Sequence, residues 1–252
     1  MVWIKICGIT NIEDAAAACK SGADCLGFVF YKDSPRSIDE DTAEKIIFSV
    51  RENNLTKPSF TGVFVNEKIK RVTEISEKLS LDYLQFSGDE SGDYIKSIKE
   101  NTAEKIKIIK TVRINVRIKE SDSFIENDYS AVKNGENLNV YKKDIIEKIL
   151  KIKGPADFVL LDSFSKNSFG GTGEIFNWEI AENLGVKFPI ILSGGLDADN
   201  ITMALNIVKP FGADASSRLE IYPGKKDNQK VYFFINKIRI FERRQYEKNL
   251  SN

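Results

Sequence analysis

The sequence predicts an α/β fold, a single (β/α)₈ TIM barrel in which eight parallel strands alternate with eight helices. Its 252 residues match the length of roughly 250 that is typical of this barrel. Short apolar runs alternate with longer amphipathic or charged segments along the whole chain, as βα units do. Because no linker, low-complexity tract or short internal repeat divides the chain, we expect one domain over residues 1–252.

The predicted strands are short and apolar, as strands buried on both faces of a parallel sheet should be. They cover residues 3–7, 24–30, 59–65, 82–86, 107–112, 157–161, 189–192 and 213–216. The alternative is an open, doubly wound sheet. A closed barrel fits a continuous series of eight units better, because closure removes both sheet edges.

The predicted helices cover residues 12–20, 40–52, 67–79, 93–99, 142–151, 178–183, 197–208 and 229–241. Residues 113–139 are polar and too numerous for an ordinary βα connection, so they predict a surface insertion with some helix. The charged C-terminal extension, residues 239–252, is interpreted as the solvated end of the last helix rather than a binding tail.

The composition favours a small-molecule partner. Lys plus Arg and Asp plus Glu are both 37, so no overall basic field attracts nucleic acid or an anionic membrane surface. No apolar run approaches the roughly 20 residues of a membrane span, and the N-terminus has no signal-peptide pattern. We therefore expect no nucleic-acid partner, no membrane and a cytoplasmic location. Monomer and homodimer both remain open.

The cysteine and histidine content limits the chemistry. Three cysteines, an odd number without zinc-type spacing, predict free thiols rather than disulfides or a structural metal site. The chain has no histidine, which excludes Ser-His-Asp and Cys-His mechanisms and disfavours a catalytic zinc. Proton transfer must therefore use other groups.

Two residues at predicted strand ends are candidates for acid–base catalysis. Cys7 ends the first strand, and Gly8 leaves its thiol open on one side. An amide-rich pocket could lower the pKa of this thiol, which would then take a proton. Asp162 follows a buried strand, where burial could raise the pKa of its carboxyl so that it keeps a proton to donate. The structural alternatives are a core cysteine and a turn-capping aspartate.

The last two strands predict a phosphate site. Gly194 and Gly195 lie between strand seven and a helix, and Ser216 and Ser217 follow strand eight. Exposed amides, the helix dipole and serine hydroxyls favour an anion there, although each element alone reads as an ordinary turn. Arg36 follows strand two, where its guanidinium could hold a substrate carboxylate by a two-pronged contact or form a surface salt bridge.

Eight segments in this order resemble the phosphoribosylanthranilate isomerase family. They are KICGIT (5–10), GFVF (27–30), SPR (34–36), GVFVN (62–66), LLDS (160–163), GGTG (170–173), LSGGL (192–196) and PGKKD (223–227). The resemblance implies a cofactor-free Amadori rearrangement in tryptophan biosynthesis, which converts N-(5-phosphoribosyl)anthranilate to 1-(2-carboxyphenylamino)-1-deoxyribulose 5-phosphate. It assigns Asp162 as the general acid that protonates the ring oxygen and Cys7 as the general base that deprotonates the adjacent sugar carbon.

The resemblance also implies a set of substrate-binding residues and a mobile loop over the site. Arg36 would bind the anthranilate carboxylate, the glycine and serine loops would bind the phosphate, and residues 170–173 would belong to the mobile loop. The full set is Arg36, Gln85, Gly171, Gly173, Gly194, Gly195, Ser216 and Ser217.

The chain departs from the family pattern at two positions. Ser87 stands where the family commonly has histidine, and Arg218 stands where it has glycine. If that position required a positive φ, arginine would be strained there. These departures leave open a barrel that binds a phosphorylated metabolite without isomerase activity. A separate alternative is an isomerase acting on another phosphoribosyl amine. The aminoaldose of histidine biosynthesis has two phosphates, so a single phosphate site argues against it.

Overall fold

Eight parallel strands, hydrogen-bonded in chain order, close into a barrel in the computed structural model of the chain, which describes residues 1–52, 57–115, 135–152, 154–164 and 177–250. Pairing of the first strand with the eighth closes the barrel. The strands are β1 (Trp3–Cys7), β2 (Cys25–Val29), β3 (Ser59–Phe64), β4 (Tyr83–Phe86), β5 (Lys107–Asn115), β6 (Phe158–Phe164), β7 (Ile190–Leu192) and β8 (Gly212–Ala215). The predicted (β/α)₈ fold class is confirmed.

Helices follow the strands along the chain. They are α1 (Ile12–Ser21), α2 (Glu40–Glu52), α3 (Ile69–Leu79), α4 (Gly92–Glu100), α5 (Gly135–Ile152), α6 (Leu184–Lys187), α7 (Ile201–Val208) and α8 (Asn228–Leu250). Local chemistry sets their ends: the Asn11 side chain accepts from the Asp14 amide at the start of α1, and Gly22 ends that helix with φ 95°. No helix of the described ranges is both long and apolar enough to cross a membrane.

The barrel interior is apolar at one end and polar at the other. At the N-terminal ends of the strands, Trp3 packs on Tyr83 with ring centroids 5.3 Å apart, and Tyr83 packs on Phe158 at 6.1 Å. Above them Ile109, Leu160 and Ile191 form a buried layer. Lys5 lies two residues before the end of β1 and Asp214 one residue before the end of β8, and both are buried. The packed base therefore leaves polar groups to face the opposite mouth.

The structure corrects three predicted boundaries near the site. The predicted helix 178–183 is a 3₁₀ helix, Trp178–Ala181, followed by α6, because Asn183 between them is left-handed with φ 57°. The predicted helix 197–208 begins only at Ile201. The Asp197 carboxylate accepts from the amides of residues 199 and 200 and so holds the preceding residues in a turn. Strand β6 continues past its predicted end, so Asp162 lies within it.

The remaining differences concern an additional hairpin, the predicted insertion and the C-terminal segment. An antiparallel hairpin, β9 (Glu220–Tyr222) with β10 (Lys225–Lys226), was not predicted. β5 and α5 take up the two ends of the predicted insertion, and residues 116–134 lie outside the described residues. The charged C-terminal segment continues α8 as far as Leu250, in agreement with its interpretation as a helix end.

Candidate active site

The predicted site residues meet at the C-terminal mouth of the barrel. Cys7, Arg36, Gln85 and Asp162 line an open cavity of about 580 Å³. A second cavity of about 300 Å³ is lined by the predicted phosphate residues, Gly194, Gly195, Ser216 and Ser217. Asp162, Ser193, Asp214 and Ser216 line both cavities, which therefore form one continuous site. The remaining two predicted residues, Gly171 and Gly173, lie outside the described residues.

A buried ion pair lies directly below the Cys7 thiol. Lys5 precedes Cys7 by two positions on β1, so both side chains point to the same face of the strand. The Lys5 Nζ is fully buried and lies 3.0 Å from Asp214 Oδ1. Burial alone would lower the pKa of Lys5, but attraction to the Asp214 carboxylate outweighs it and raises that pKa. Lys5 is therefore an ammonium ion throughout the neutral range.

The structure contradicts the expected lowering of the Cys7 pKa. Burial raises the pKa of the Cys7 thiol above its ordinary value, and the attraction of Lys5 only partly opposes this. The side chain is buried, and the Asp214 carboxylate also disfavours a thiolate. The free protein therefore holds Cys7 as a thiol at neutral pH, with an ammonium ion beside it to stabilise the thiolate once it forms.

The carboxyl of Asp162 has the expected perturbation. Burial, with repulsion from Asp214 as the second cause, raises its pKa to about 7. The Ser163 backbone N–H and the guanidinium of Arg113, its register partner on β5, act in the opposite direction without cancelling the effect. Asp162 therefore exchanges a proton near neutral pH, as a general acid must.

Arg36 is positioned by the hairpin. Its Nε and Nη2 donate to the two carboxylate oxygens of Glu220 at 2.8 and 2.7 Å. Lys226 Nζ donates to Glu220 at 2.8 Å and is fully buried on that carboxylate. A Cβ at Gly8, where φ is 75°, would lie only 2.6 Å from Arg36 Cδ, so glycine leaves room for the arginine. The guanidinium is thus held in a fixed plane at the cavity wall.

The glycines after β7 adopt backbone conformations that disfavour side chains. Gly194 and Gly195 have φ of 89° and 62°, and a Cβ at Gly194 would lie 2.8 Å from the Ser163 amide nitrogen. The Ser216 hydroxyl donates to the Cys7 carbonyl at 3.0 Å, so it links the two halves of the site. Because α7 begins at Ile201, the expectation of a helix N-terminus directly after Gly195 is wrong.

Arg218 fits its position without backbone strain. It lies in the 3₁₀ turn Ser217–Leu219, and its φ is not positive. Its Nη1 donates to Asp197 Oδ2 at 2.7 Å, which joins the loops after β7 and β8 beside the predicted phosphate site.

Comparison with known proteins identifies the family. The family model described as N-(5′-phosphoribosyl)anthranilate (PRA) isomerase matches residues 4–141 and 119–237. The N-(5′-phosphoribosyl)anthranilate isomerase of Pelobacter propionicus is 36% identical over 238 residues, which are 93% of this chain and 94% of that protein. The chain belongs to the N-(5′-phosphoribosyl)anthranilate isomerase family. It is accordingly an isomerase of tryptophan biosynthesis.

Solved phosphoribosylanthranilate isomerases share the architecture. The Thermotoga maritima structure has a TM-score of 0.73 at 32% identity, and the match covers 95% of this chain and 99% of that one. Two further structures match with TM-scores of 0.71 and the same coverage. One shows monomers of the dimeric T. maritima isomerase, at 31% identity, and the other contains reduced 1-(o-carboxyphenylamino)-1-deoxyribulose 5-phosphate, at 30% identity.

Sequence reasoning missed the charged residues that support this candidate site. Lys5 carried a usable signal, since a lysine two positions before a strand-end cysteine shares its face and demands a buried partner. Asp214 is that partner, and its place inside an apolar strand was a second signal. Glu220 and Lys226 flank a Pro-Gly pair, which is a hairpin pattern, but their contact with Arg36 has no signal in the sequence.

Proposed function

We propose that this cavity converts N-(5-phosphoribosyl)anthranilate to 1-(2-carboxyphenylamino)-1-deoxyribulose 5-phosphate, with Asp162 as general acid and Cys7 as general base. One observation carries the proposal. A carboxyl whose pKa is about 7 and a thiol beside a buried ammonium line the same cavity, between an arginine and a glycine-rich loop. An Amadori rearrangement needs one proton donor and one proton acceptor, and it needs anchors for two anionic substrate groups.

The two anchors orient the substrate across the mouth. The phosphate fits the backbone amides around Gly194, Gly195 and Ser217, where glycine permits close approach. The anthranilate carboxylate fits Arg36, beside the apolar side chains Val29 and Val63 that suit an aromatic ring. This placement puts the ribose between Asp162 and Cys7.

The reaction then needs two proton transfers. Asp162 gives its proton to the ribose ring oxygen, the C1′–O bond breaks, and the nitrogen lone pair forms an iminium ion. The Cys7 thiolate removes the proton from C2′, and the resulting enolamine tautomerises to the ketone. Lys5 stabilises the thiolate, and Asp214 holds Lys5 below it at 3.0 Å.

The pKa values decide which protonation form is reactive. Catalysis requires a thiolate at Cys7 and a neutral carboxyl at Asp162. Because the pKa of Cys7 is raised and that of Asp162 is about 7, the commoner singly protonated form carries its proton on sulfur. The reactive form carries this single proton on Asp162 instead and is the minor species. It is present from about pH 7 up to the raised pKa of Cys7.

Fluorescence tests the proposed reaction, because phosphoribosylanthranilate is fluorescent and its isomerisation removes that signal. Purified protein mixed with freshly prepared substrate should remove the fluorescence at a rate proportional to enzyme concentration. Folded protein that binds the reduced product analogue without turning over the substrate would instead support a metabolite-binding barrel. A preference for the histidine-pathway aminoaldose in direct competition would support altered substrate range.

We also infer a cytoplasmic protein that works without nucleic acid, as a monomer or homodimer. The biosynthetic family and the equal numbers of acidic and basic residues support the first two points. The dimeric T. maritima isomerase supports a homodimer. Analytical ultracentrifugation at micromolar concentration distinguishes the two oligomeric states by mass.

A further inference from the structure

Gln85 carries a buried hydrogen-bond acceptor that the protein does not use. The side chain is 5% exposed, and its Oε1 has no hydrogen-bond partner among the described residues. A buried amide oxygen without a partner costs stability, so such groups are rare in folded proteins. Gln85 also lines the cavity that holds Cys7 and Asp162. The unused acceptor therefore lies where a ligand can supply the missing donor.

Two hydroxyl groups hold the amide in place. Gln85 Nε2 donates to Ser87 Oγ at 3.1 Å, and Ser87 Oγ lies 3.0 Å from Thr111 Oγ1. All three side chains are buried, so the chain of hydrogen bonds occupies the nitrogen side of the amide. The oxygen side is then presented in a fixed direction. Ser87, which replaces the family's usual histidine, thereby has a role in orienting Gln85.

The position of Gln85 selects one donor on the substrate. Gln85 is on β4, across the barrel from β8 and its phosphate loop, and β4 pairs with β3, which carries the apolar residue Val63. The aromatic end of the substrate therefore faces Gln85. The substrate has hydroxyl donors on the ribose and one N–H between the ribose and the aromatic ring. The N–H is the donor nearest that end.

We propose that Gln85 Oε1 accepts a hydrogen bond from the anilino N–H and so orients the bond between this nitrogen and C1′. This inference rests on the proposed function. The contact also strengthens during the reaction, because the nitrogen becomes a cationic iminium and its N–H a stronger donor. An interaction that is stronger in the transition state accelerates the chemical step rather than substrate binding alone.

Calorimetry with two ligands tests the contact. One is the reduced product analogue, which retains the N–H, and the other is its ether counterpart, in which oxygen replaces that N–H. We expect the wild type to bind the amine about 10- to 100-fold more tightly than the ether, because the ether places a lone pair against Oε1. Gln85→Leu should reduce this preference to less than about threefold, whereas Gln85→Glu, which keeps acceptor oxygens, should retain it.

Trp178→Phe is the matched control, because it removes the other buried polar atom that has no partner among the described residues, at a position outside the cavity lining, and it should leave the preference for the amine intact. Gln85→Leu should also lower kcat more than it raises KM, and it should melt at a temperature no lower than the wild type. Equal amine preference in the wild type and Gln85→Leu, or none in the wild type, would overturn the contact. If the wild type binds neither ligand, the proposed function fails and this inference fails with it.

Discussion

Replacing Asp162 with asparagine should stabilise the protein above neutral pH while it removes the proposed general acid. In the folded protein, burial and then repulsion from Asp214 raise the pKa of Asp162 from 3.8 to about 7. Between these values the folded state keeps a proton that the unfolded state has lost. The free energy of unfolding of the wild type therefore falls as pH rises through this window, and it levels off above pH 7. Asparagine has a similar shape and does not ionise.

The size of the effect follows from the displacement of the pKa. The difference between about 7 and 3.8 is about 3 pH units, and each unit is worth about 1.4 kcal/mol. The raised pKa thus lowers the free energy of unfolding by up to about 4 kcal/mol at pH 8 and by roughly 1.5 kcal/mol at pH 5. The stability of Asp162→Asn relative to the wild type should rise by up to about 3 kcal/mol between pH 5 and pH 8. This corresponds to roughly 6–12 °C in Tm.

Urea unfolding at pH 5, 6.5 and 8 measures this difference directly. Asp89→Asn is the matched control, because it removes an exposed carboxylate at the same barrel mouth. The change in the Asp162→Asn offset with pH is read relative to the change in this control. An Asp162→Asn offset that does not rise between pH 5 and pH 8 relative to the control would refute the reasoning, because it would mean that folding does not perturb this carboxyl.

Three further predictions follow from the site and its supports. The logarithm of kcat/KM should rise with pH up to about 7, because Cys7 and Asp162 together lose their first proton there. It should fall only above the raised pKa of Cys7. A decline that begins at pH 7 would mean that the thiolate forms before Asp162 ionises. Arg218→Gly should raise KM and the inhibition constant of inorganic phosphate about 3- to 10-fold with kcat unchanged, whereas unchanged constants would show that Arg218 serves only Asp197. Lys110→Met should lower the free energy of unfolding in urea by about 3 kcal/mol, because the buried Glu90 carboxylate loses the ammonium group 2.8 Å away. Adding Glu90→Gln to this variant should recover part of the loss.

The barrel was predictable because its strands alternate with helices in one uninterrupted series. Short apolar segments such as 158–161 have few alternatives to a buried strand, and eight of them in parallel close without an edge. The start of α7 shows the limit of this reasoning. Asp197 looks like the first residue of a helix, yet its carboxylate caps a turn that delays the helix to Ile201. Only the folded loop decides between the two uses of that side chain.

The site residues were predictable by position and their charge environment was not. Cys7 ends β1 and Asp162 lies in the C-terminal half of β6, so the fold brings both to one mouth. The pKa of Cys7 depends on burial, on Lys5 and on Asp214, which lies more than 200 residues away in sequence. The same holds for Arg36, whose partner Glu220 comes from an unpredicted hairpin. Long-range contacts therefore set the electrostatics that local sequence patterns leave open.

The central claim is that Cys7 and Asp162 form the acid–base pair, and initial rates of substrate fluorescence loss by single variants test it most directly. Cys7→Ser and Asp162→Asn, each shown to be folded by circular dichroism, should lower kcat by about 100-fold or more. Cys25→Ser, at a buried thiol outside the cavity lining, should stay within a few-fold of the wild type. A rate within threefold of the wild type for either Cys7→Ser or Asp162→Asn would contradict the assigned pair.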